Sequence, residues 1–559
     1  MLAFRTSVLG FVFFTLAWLG YDHYRPWVNF HSETLALLGV GLLAVGRCFK
    51  RGVEKPVAPR IVWVVLAAAL IPWVQYFLGI SLFAGDALVV CLYLCALTTA
   101  IWLGYDYALE PVDTNYALTG VFFLIWFAAL ASAAIGLVQW LHLQEPLGMY
   151  IVQTDIGERA MGNLGQPNQL ATLLLMGIVS LAWTFERQRI GQVGLIFGVT
   201  FLTLGLALSR SRAGLISVFV IAAFIIWKNS SRPARLTSSH VFAWLSIYCV
   251  LLLLTPQVQD FLMLGDSKSM NVAVDAARPI IWKQTLSGVS LAPWVGYGWN
   301  QTPTAQAAGS IAVQGSLAFS YAHNIVLDIL AWNGLPLGLL ITGLCAWWFL
   351  SRLWCVSQTA AIYAMAALIP ILVHSMVEFP FAYSYFLLAA GLMVGIVEAF
   401  QRGTKTVAFN IRWVHGLLAI WFVLGSYLVY EYLLIEEDFR VVRFENLRIG
   451  QTPTEYANPD VVMLSQMGAM LKASRQRAAP GMTKEELENL RRASLRFSHG
   501  ALALRYAIAL GLNGFPAEAT YQFAVIRGVY GLGYYQAAVS ELRDLQREKY
   551  PQLSQVSTP

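Results

Sequence analysis

The chain has 559 residues, of which 58% are hydrophobic and only 12% are charged. Soluble proteins carry about 25% charged residues, so this composition excludes a set of soluble domains, a disordered chain and a disulfide-stapled secreted domain. The net charge of +6 is spread over short loops between apolar runs and indicates no nucleic-acid partner. We therefore predict an all-α, polytopic membrane protein.

Apolar runs long enough to form spanning helices occur throughout the first three quarters of the chain, since such a helix needs about 20 apolar residues. An early Arg5 followed by an apolar core resembles a signal peptide, but no small-residue cleavage site follows it, so we interpret the first run as a retained span. The thirteen predicted spans are 6–20, 33–48, 61–83, 87–104, 117–141, 168–185, 190–208, 213–227, 240–257, 324–350, 359–377, 384–400 and 413–434.

Lys and Arg in short loops predict the orientation of these spans. With a cytoplasmic N-terminus, inside loops hold 15 of the membrane-region Lys and Arg and outside loops hold 7. Thirteen spans then place the C-terminal segment outside, in the periplasm of a bacterial inner membrane.

Two domains are predicted, a membrane domain over 1–435 with long periplasmic loops near 142–167 and 258–323, and a helical periplasmic domain over 436–559. The second segment is richer in charge, with 15 of the 37 Lys and Arg. Thr483 and Glu486 form a capping box that predicts a helix start. Further helices are predicted over 501–511, 516–529 and 534–548, with a weak likeness to tetratricopeptide pairs.

Two arginines interrupt the apolar pattern in the loop Ser209-Arg210-Ser211-Arg212-Ala213-Gly214. One interpretation is a pair of snorkelling interface residues. The other is an anion clamp, because guanidinium groups match the geometry of a phosphate. Further along, Arg278 and Trp282 share one helix face at i, i+4, either as an exposed stacked pair or as a second cationic group.

Three ionisable residues are candidates for proton transfer. His323 lies in Tyr321-Ala322-His323-Asn324 at the start of a span, either as a hydrogen-bonded anchor or as a proton acceptor, with Asp328 near enough to orient it. His374 and Glu378 lie one helical turn apart at membrane depth, where ionisable groups are costly and so mark candidate functional sites. The alternative is a structural hydrogen bond between helices.

No Walker loop, HExxH or GxSxG motif occurs, and Gly296-Tyr297-Gly298 is too short for a dinucleotide fingerprint. The remaining polar groups include two cationic clamps, one formed by Arg210 and Arg212 and the other by Arg278, and a candidate base, His323. All of them lie on the predicted outside face of the membrane protein. This set suits a lipid-borne diphosphate donor and a hydroxyl acceptor.

Several segments resemble a known family in order and spacing. Gly162-Asn163-Leu164-Gly165-Gln166-Pro167-Asn168-Gln169-Leu170 and His374-Ser375…Glu378-Phe379-Pro380…Tyr383…Tyr385-Phe386 are similar to bacterial protein O-oligosaccharyltransferases of the PglL/PilO type. Ser211-Arg212-Ala213-Gly214, the Arg278…Trp282…Gly296-Tyr297-Gly298 stretch and His323-Asn324…Gly334 resemble the wider O-antigen ligase and polymerase superfamily. The resemblance covers roughly residues 160–400.

The resemblance implies a metal-independent, inverting membrane glycosyltransferase of the C type that needs no cofactor. It would move an oligosaccharide from undecaprenyl diphosphate to Ser or Thr of an exported protein such as a pilin, within membrane lipid at the periplasmic face. By this likeness, Arg212 and Arg278 hold the diphosphate with help from Arg210, and His323 meets the acceptor hydroxyl or the leaving group. Gln166, Asn168 and Tyr383 line the site beside Trp282, and Glu378 is a rival general base.

Two alternatives remain open at the level of sequence. The same chemistry serves an O-antigen ligase acting on lipid A core, or an O-antigen polymerase. A lipid or solute transporter without transferase activity is the other alternative, although the paired inverted halves of a transporter are not apparent in the sequence.

Overall fold

The computed structural model describes residues 2–50, 56–110, 115–265, 272–453 and 456–559, and for 272–276 it describes the backbone alone. Almost all regular structure in these ranges is helical. Two three-residue strands, β1 (Val57–Pro59) and β2 (Thr406–Ala408), pair antiparallel with Val57 opposite Ala408. The helices are α1 (Leu2–Ala17), α2 (Phe30–Cys48), α3 (Arg60–Ala68), α4 (Ile71–Phe77), α5 (Ala84–Ala108), α6 (Tyr116–Trp140), α7 (Pro167–Glu186), α8 (Gln192–Ser209), α9 (Arg212–Asn229), α10 (Ser238–Phe261), α11 (Val272–Leu291), α12 (Thr302–Gly309), α13 (Ile325–Cys355), α14 (Thr359–Ser375), α15 (Ser384–Ala399), α16 (Ile411–Leu447), α17 (Ser465–Arg475), α18 (Lys484–Arg496), α19 (Gly500–Leu512) and α20 (Pro516–Glu548). Short 3-10 turns cover Glu145–Tyr150, Gly162–Leu164, Pro380–Ala382 and Pro551–Gln555.

The prediction of a polytopic helical membrane protein is confirmed. Within the described ranges, nine helical stretches are long and apolar enough to cross a membrane. Helices α1, α14 and α15 are apolar but have 16 or 17 residues, and α2 has 19. Twelve of the thirteen predicted spans therefore fall on one helix each, the span 61–83 falls on two, and the chain is a multi-pass membrane protein.

Three predicted segments differ in detail. The predicted span 61–83 is broken into α3 and α4. The predicted long loop 258–323 holds α11 and α12 in its described part, while 266–271 lie outside the described residues. The two helices predicted over 516–529 and 534–548 form one element, α20, with its break at Gly531, whose φ of 82° is open to glycine without the clash that a Cβ causes.

The chain divides into two compact units that alternate along the sequence. Unit 1 contains Met1–Ala68, Tyr93–Met270 and Trp347–Gly425, and unit 2 contains Ala69–Leu92, Asn271–Ala346 and Ser426–Pro559. The boundary predicted between 435 and 436 falls inside α16, in a stretch that belongs to unit 2. An independent C-terminal domain over 436–559 remains a prediction.

Ion pairs line one end of the helices of unit 1. Arg47 at the end of α2 pairs with Asp106 near the end of α5, with Nη2 to Oδ1 at 2.7 Å. At the end of α15, Glu398 Oε1 accepts hydrogen bonds from Arg352 Nε at 2.7 Å and from Trp348 Nε1 at 2.8 Å. These basic residues are among those that predict the cytoplasmic side, and carboxylate partners offset the cost of desolvating them.

The C-terminal helices of unit 2 pack onto the start of α5. Asp86 is 1% exposed, and it accepts hydrogen bonds from Arg496 Nη2 at 2.8 Å and from Gln301 Nε2 at 3.2 Å. Burial lowers the pKa of the Arg496 guanidinium, but the Asp86 carboxylate beside it raises that pKa, and the net shift is upward. In the same unit, the Glu431 carboxylate accepts from the backbone amide of Leu464 at 3.0 Å, which caps α17.

The predicted capping box at the start of α18 is confirmed. Thr483 Oγ1 accepts from the Glu486 amide at 3.2 Å, and Glu486 Oε2 accepts from the Thr483 amide at 2.8 Å. These reciprocal bonds satisfy two backbone donors that the helix itself leaves unpaired. The sequence pattern located this helix start because both partners lie within one turn of each other.

Replacing Arg496 by Leu should destabilise the protein by about 3 kcal/mol, because removing one partner leaves Asp86 as an uncompensated buried charge. Thermal unfolding of the detergent-purified chain measures the loss. Arg491→Leu is the matched control, since Arg491 pairs with Glu488 on the exposed face of the same helix, where such pairs contribute less than about 1 kcal/mol. Equal melting temperatures for the two variants would contradict the prediction.

Candidate active site

The loop that carries the first pair of arginines is anchored to the start of α7. Ser211 is the N-cap of α9, and its Oγ accepts a hydrogen bond from the Gly214 amide at 3.0 Å. The same hydroxyl donates to Asn168 Oδ1 at 2.7 Å. Asn168, predicted to line the site, thus holds the arginine loop in place.

Arg210 and Arg212 lie on either side of this cap. Arg210 adopts a left-handed backbone conformation with φ of 47°, and its Nη2 donates to Gln259 Oε1. Burial lowers the pKa of Arg210, and the nearby Asp260 carboxylate opposes that shift. Arg212 occupies the first position of α9 and is exposed. A cation beside helix amides that point outward is a suitable place for a phosphate group.

The segment that precedes α7 is held by one buried side chain. Gln139, 1% exposed near the end of α6, accepts from the amides of Met161 at 3.1 Å and Gly162 at 2.8 Å. Its Nε2 donates to the carbonyls of Val152 and Gly162, both at 2.9 Å. Asn163 adds a bond to the Leu19 carbonyl at 2.9 Å. This irregular backbone is therefore fixed from within.

Gln166 follows directly as the N-cap residue of α7. It is extended and half-buried, and it comes after Gly165, which turns the chain with φ of 72°. Gln166 and Asn168 thus lie on the same turn at the start of α7.

The end of α14 and the start of α15 meet the same region of unit 1. His374 is buried, and its Nδ1 lies 3.0 Å from Thr172 Oγ1 on α7. Helix α14 ends at Ser375, so the buried Glu378 lies in the following turn, with its amide bonded to the His374 carbonyl at 2.8 Å. His374 thus makes a hydrogen bond between helices, which was one of the two interpretations of this residue in the sequence analysis.

Stacked aromatic rings follow Glu378. The Tyr383 ring stacks on Phe379 at 5.8 Å between centroids and on Tyr385 at 5.5 Å. Tyr385 is buried, and its hydroxyl donates to Gln169 Oε1 at 2.9 Å. The half-buried face of Tyr383 and Phe379 is of the kind that packs against a sugar ring or an apolar chain.

Glu33, in the first turn of α2, is a residue that the sequence analysis missed. It is 3% exposed, and its carbonyl accepts from Ser384 Oγ at 3.1 Å. Its Oε1 accepts from Trp27 Nε1 at 3.4 Å, while Oε2 has no hydrogen-bond partner among the described residues. An acidic residue inside a predicted span is the signal that would have found it.

In unit 2, α11 supports the segment that ends at His323. Arg278 and Trp282 lie on α11 at i, i+4 as predicted, and Trp282 Nε1 donates to the Ala322 carbonyl at 3.0 Å. His323 has a left-handed backbone with φ of 53° and is buried, with its ring edge-on to Phe319 at 5.0 Å. Trp282 therefore positions the histidine segment.

Asp328 acts on the backbone beside His323. It is fully buried, and its Oδ1 accepts from the Ala322 amide at 2.9 Å and from Thr302 Oγ1 at 2.7 Å. Thr302 in turn accepts from Trp332 Nε1 at 2.8 Å. The expected orienting role of Asp328 is therefore exerted through Ala322, the residue that precedes the histidine.

The glycine motif Gly296-Tyr297-Gly298 serves packing against α13. A Cβ on Gly296 would lie 2.5 Å from the Gly334 amide, at the point where α13 kinks. The amides of Tyr297 and Gly298 donate to the carbonyls of Ala331 and Trp332 at 2.8 and 3.0 Å. Glycine is needed here because two backbones come into direct contact.

The nine predicted site residues divide between the two units. Unit 1 brings together Gln166, Asn168, Arg210, Arg212, Glu378 and Tyr383 at the ends of α7, α9, α14 and α15, and unit 2 brings together Arg278, Trp282 and His323. Each set combines fixed cations with hydrogen-bonding side chains. Such groups can bind an anion and exchange a proton.

Gln139→Met should loosen the 142–167 segment, because a methionine of similar size removes the partners of four backbone groups, and each of the two buried bonds lost should cost about 1–3 kcal/mol. Hydrogen–deuterium exchange of residues 150–163 measures the effect. Gln144→Met is the control, since the Gln144 side chain bonds, among the described residues, to Thr154 alone. Equal protection of the segment in both variants would show that Gln139 does not hold it.

Comparison with known proteins gives a consistent result. Residues 160–185 match a protein glycosylation ligase family, residues 196–342 an O-antigen ligase family and residues 362–543 the C-terminal region of a virulence factor membrane-bound polymerase family. The chain is 27% identical to a general O-oligosaccharyltransferase of Acinetobacter baylyi over 98% of its own length and 95% of the relative. It is 26% identical to a ComP-specific O-oligosaccharyltransferase of the same organism over 68% of its length and 69% of the relative.

The matched segments contain the residues around Gln166, Arg212 and His323 that carry the resemblance in the sequence. Two of the families are named as ligases, and both relatives are named as O-oligosaccharyltransferases. By these matches the chain is similar to the O-antigen ligase superfamily and, within it, to the protein O-oligosaccharyltransferases of the PglL type.

Proposed function

We propose that this protein transfers a preassembled oligosaccharide en bloc from undecaprenyl diphosphate to Ser or Thr of exported proteins such as pilins. The reaction takes place at the periplasmic face of the bacterial inner membrane. The observation that carries the proposal is the likeness to a general O-oligosaccharyltransferase over almost the whole of both chains. The second relative is named for one acceptor, ComP, which supports a protein as acceptor.

In this proposal the arginines bind the donor diphosphate. Arg212 and Arg278 hold the phosphate oxygens, and Arg210 contributes from its position beside the Ser211 cap. Negative charge grows on the diphosphate as the bond to the sugar breaks, and fixed guanidinium groups stabilise that charge. This is the task that a metal ion performs in other glycosyltransferases.

The acceptor hydroxyl oxygen attacks the anomeric carbon from the side opposite the diphosphate. A carbon–oxygen bond to Ser or Thr forms, the bond to the diphosphate breaks, and the configuration of the anomeric carbon inverts. The hydroxyl proton passes to His323 or to Glu378. The support for His323 is its fixed left-handed backbone between the Trp282 contact and the α13 start, and the support for Glu378 is its burial beside the stacked rings.

Gln166, Asn168 and Tyr383 line the donor or acceptor site in this proposal. Asn168 also holds Ser211, so its loss should disturb the arginines as well as any direct contact. Trp282 supports the His323 segment through the Ala322 carbonyl.

Ligation of O-antigen to lipid A core and O-antigen polymerisation are not favoured, because both relatives named above are protein O-oligosaccharyltransferases. A transporter is likewise disfavoured by ligase families that match the arginine and histidine segments. A changed lipopolysaccharide ladder with unmodified periplasmic proteins in a deletion strain would restore the ligase alternative.

His323→Ala should lower the rate of glycan transfer by at least about 100-fold if His323 takes the proton, since general base catalysis contributes about 10²–10⁴-fold. Glu378→Gln should do the same if Glu378 is the base. The measurement is the intact mass of a candidate pilin co-expressed with a lipid-linked glycan pathway, followed by rates with purified protein. His415→Ala, at an exposed position of α16, is the control. A full mass shift in both site variants would refute both assignments.

Arg212→Lys should retain the positive charge but raise the apparent KM for the donor by about tenfold or more, because an ammonium group cannot make the paired bonds of a guanidinium. Arg212→Ala should be worse. The apparent KM for the lipid-linked donor measures the change at saturating acceptor. An unchanged donor KM in Arg212→Ala would remove Arg212 from the diphosphate site.

A further inference from the structure

The second half of α20 forms a groove to which the proposed function gives no role. The groove has a volume of about 570 Å³. It is lined chiefly by Arg527, Tyr535, Val539, Arg543, Asp544 and Arg547. All of these residues belong to unit 2, as do His323 and the segment that precedes it.

The groove begins beside a direct contact between α20 and the segment leading to His323. The Gly528 carbonyl accepts from the Gly315 amide at 2.6 Å and from Gln284 Nε2 at 3.0 Å. A Cβ on Gly531 would lie 3.2 Å from Ser316 Cα. Arg527 of the groove directly precedes Gly528 in the chain, so the groove and this contact share one turn of α20.

Only a short stretch of chain lies between this contact and the histidine. His323 is the seventh residue after Ser316, and seven residues span at most about 25 Å when extended. A polypeptide bound at the Arg527 end of the groove can therefore present to His323 a Ser or Thr that lies up to about seven residues away.

The lining has a clear chemical preference. Arg543 and Arg547 are exposed and lie one helical turn apart, and Asp544 is the one acidic side chain that lines the groove. The Arg527 guanidinium lies 5.7 Å from the centre of the Tyr535 ring, and its Nε is buried with no hydrogen-bond partner among the described residues. Guanidinium groups bind carboxylates in paired bonds, while Leu532, which also lines the groove and is exposed, provides apolar contact.

We propose that this groove binds the acceptor polypeptide, through a segment that carries Asp or Glu together with small apolar residues. The inference rests on the proposed function, since it names the docking site of the acceptor. The arginines select the segment, and the adjoining turn of α20 holds it near the His323 segment. Acceptor choice is then set in the C-terminal helices, apart from the groups that bind the donor.

The test uses the full-length purified protein and two fluorescent 15-residue peptides of Ala, Leu and one central Ser, one with four Asp and the other with four Lys. Anisotropy without any donor should show the acidic peptide binding at least tenfold more tightly. R543E/R547E should abolish this preference, and R543Q/R547Q should reduce it. In glycan transfer at saturating donor, R543E/R547E should raise the acceptor KM about tenfold and leave the donor KM unchanged.

The matched control is R477E/K484E, which makes the same charge change at exposed positions of the C-terminal region outside the groove. This control should keep the preference for the acidic peptide. No preference in the wild-type protein, or an equal loss in both double variants, would overturn the proposal. So would displacement of the acidic peptide by phosphatidylglycerol vesicles but not by phosphatidylcholine vesicles, which would assign the arginines to lipid headgroups. Because the binding assay contains no donor, failure of the wild-type protein to transfer glycan would count against the proposed function alone.

Discussion

Irregular backbone at the ends of membrane helices has to find its hydrogen-bond partners within the protein, because lipid offers none. In this chain buried glutamine side chains meet that requirement. Gln139 bonds four backbone groups of the 152–162 segment, two amides and two carbonyls. Gln306 does the same in unit 2, accepting from the Phe319 amide at 3.0 Å and donating to the Leu317 carbonyl at 2.9 Å. A primary amide both donates and accepts, so one side chain can satisfy N–H and C=O groups together.

Rigid segments of this kind determine where the candidate catalytic groups lie. Asn168 and Ser211 connect two helix starts, and this connection holds the backbone that carries the arginines on either side of Ser211. In unit 2, Asp328 and Trp282 bind the amide and the carbonyl of Ala322, which leaves His323 little freedom. Groups held in advance of the reaction stabilise developing charge without first having to reorganise.

In unit 2 the C-terminal helices also help to hold the segment that carries His323. Arg496 binds the buried Asp86, and Ser498 Oγ donates to the Phe319 carbonyl at 3.2 Å, close to the histidine segment. Gly528 on α20 bonds both Gln284 and Gly315. A region that the sequence describes only as charged and helical therefore supports the segment that carries His323, and the same helix carries the arginine-lined groove.

The sequence by itself determined the class of fold, the positions of the spans and the start of α18, because hydropathy and capping depend on residues within a few turns of each other. Family resemblance also located the Gln166, Arg212 and His323 segments. Only the tertiary structure revealed Glu33 and Gln139, the contact of Asn168 with Ser211 and the action of Asp328 on Ala322. It also showed that the predicted loop 258–323 contains α11 and α12, and that His374 bonds to Thr172. Most of these contacts join residues that lie far apart in the chain. The role of a buried polar side chain depends on the partner that packing brings next to it, and no local sequence pattern encodes that partner.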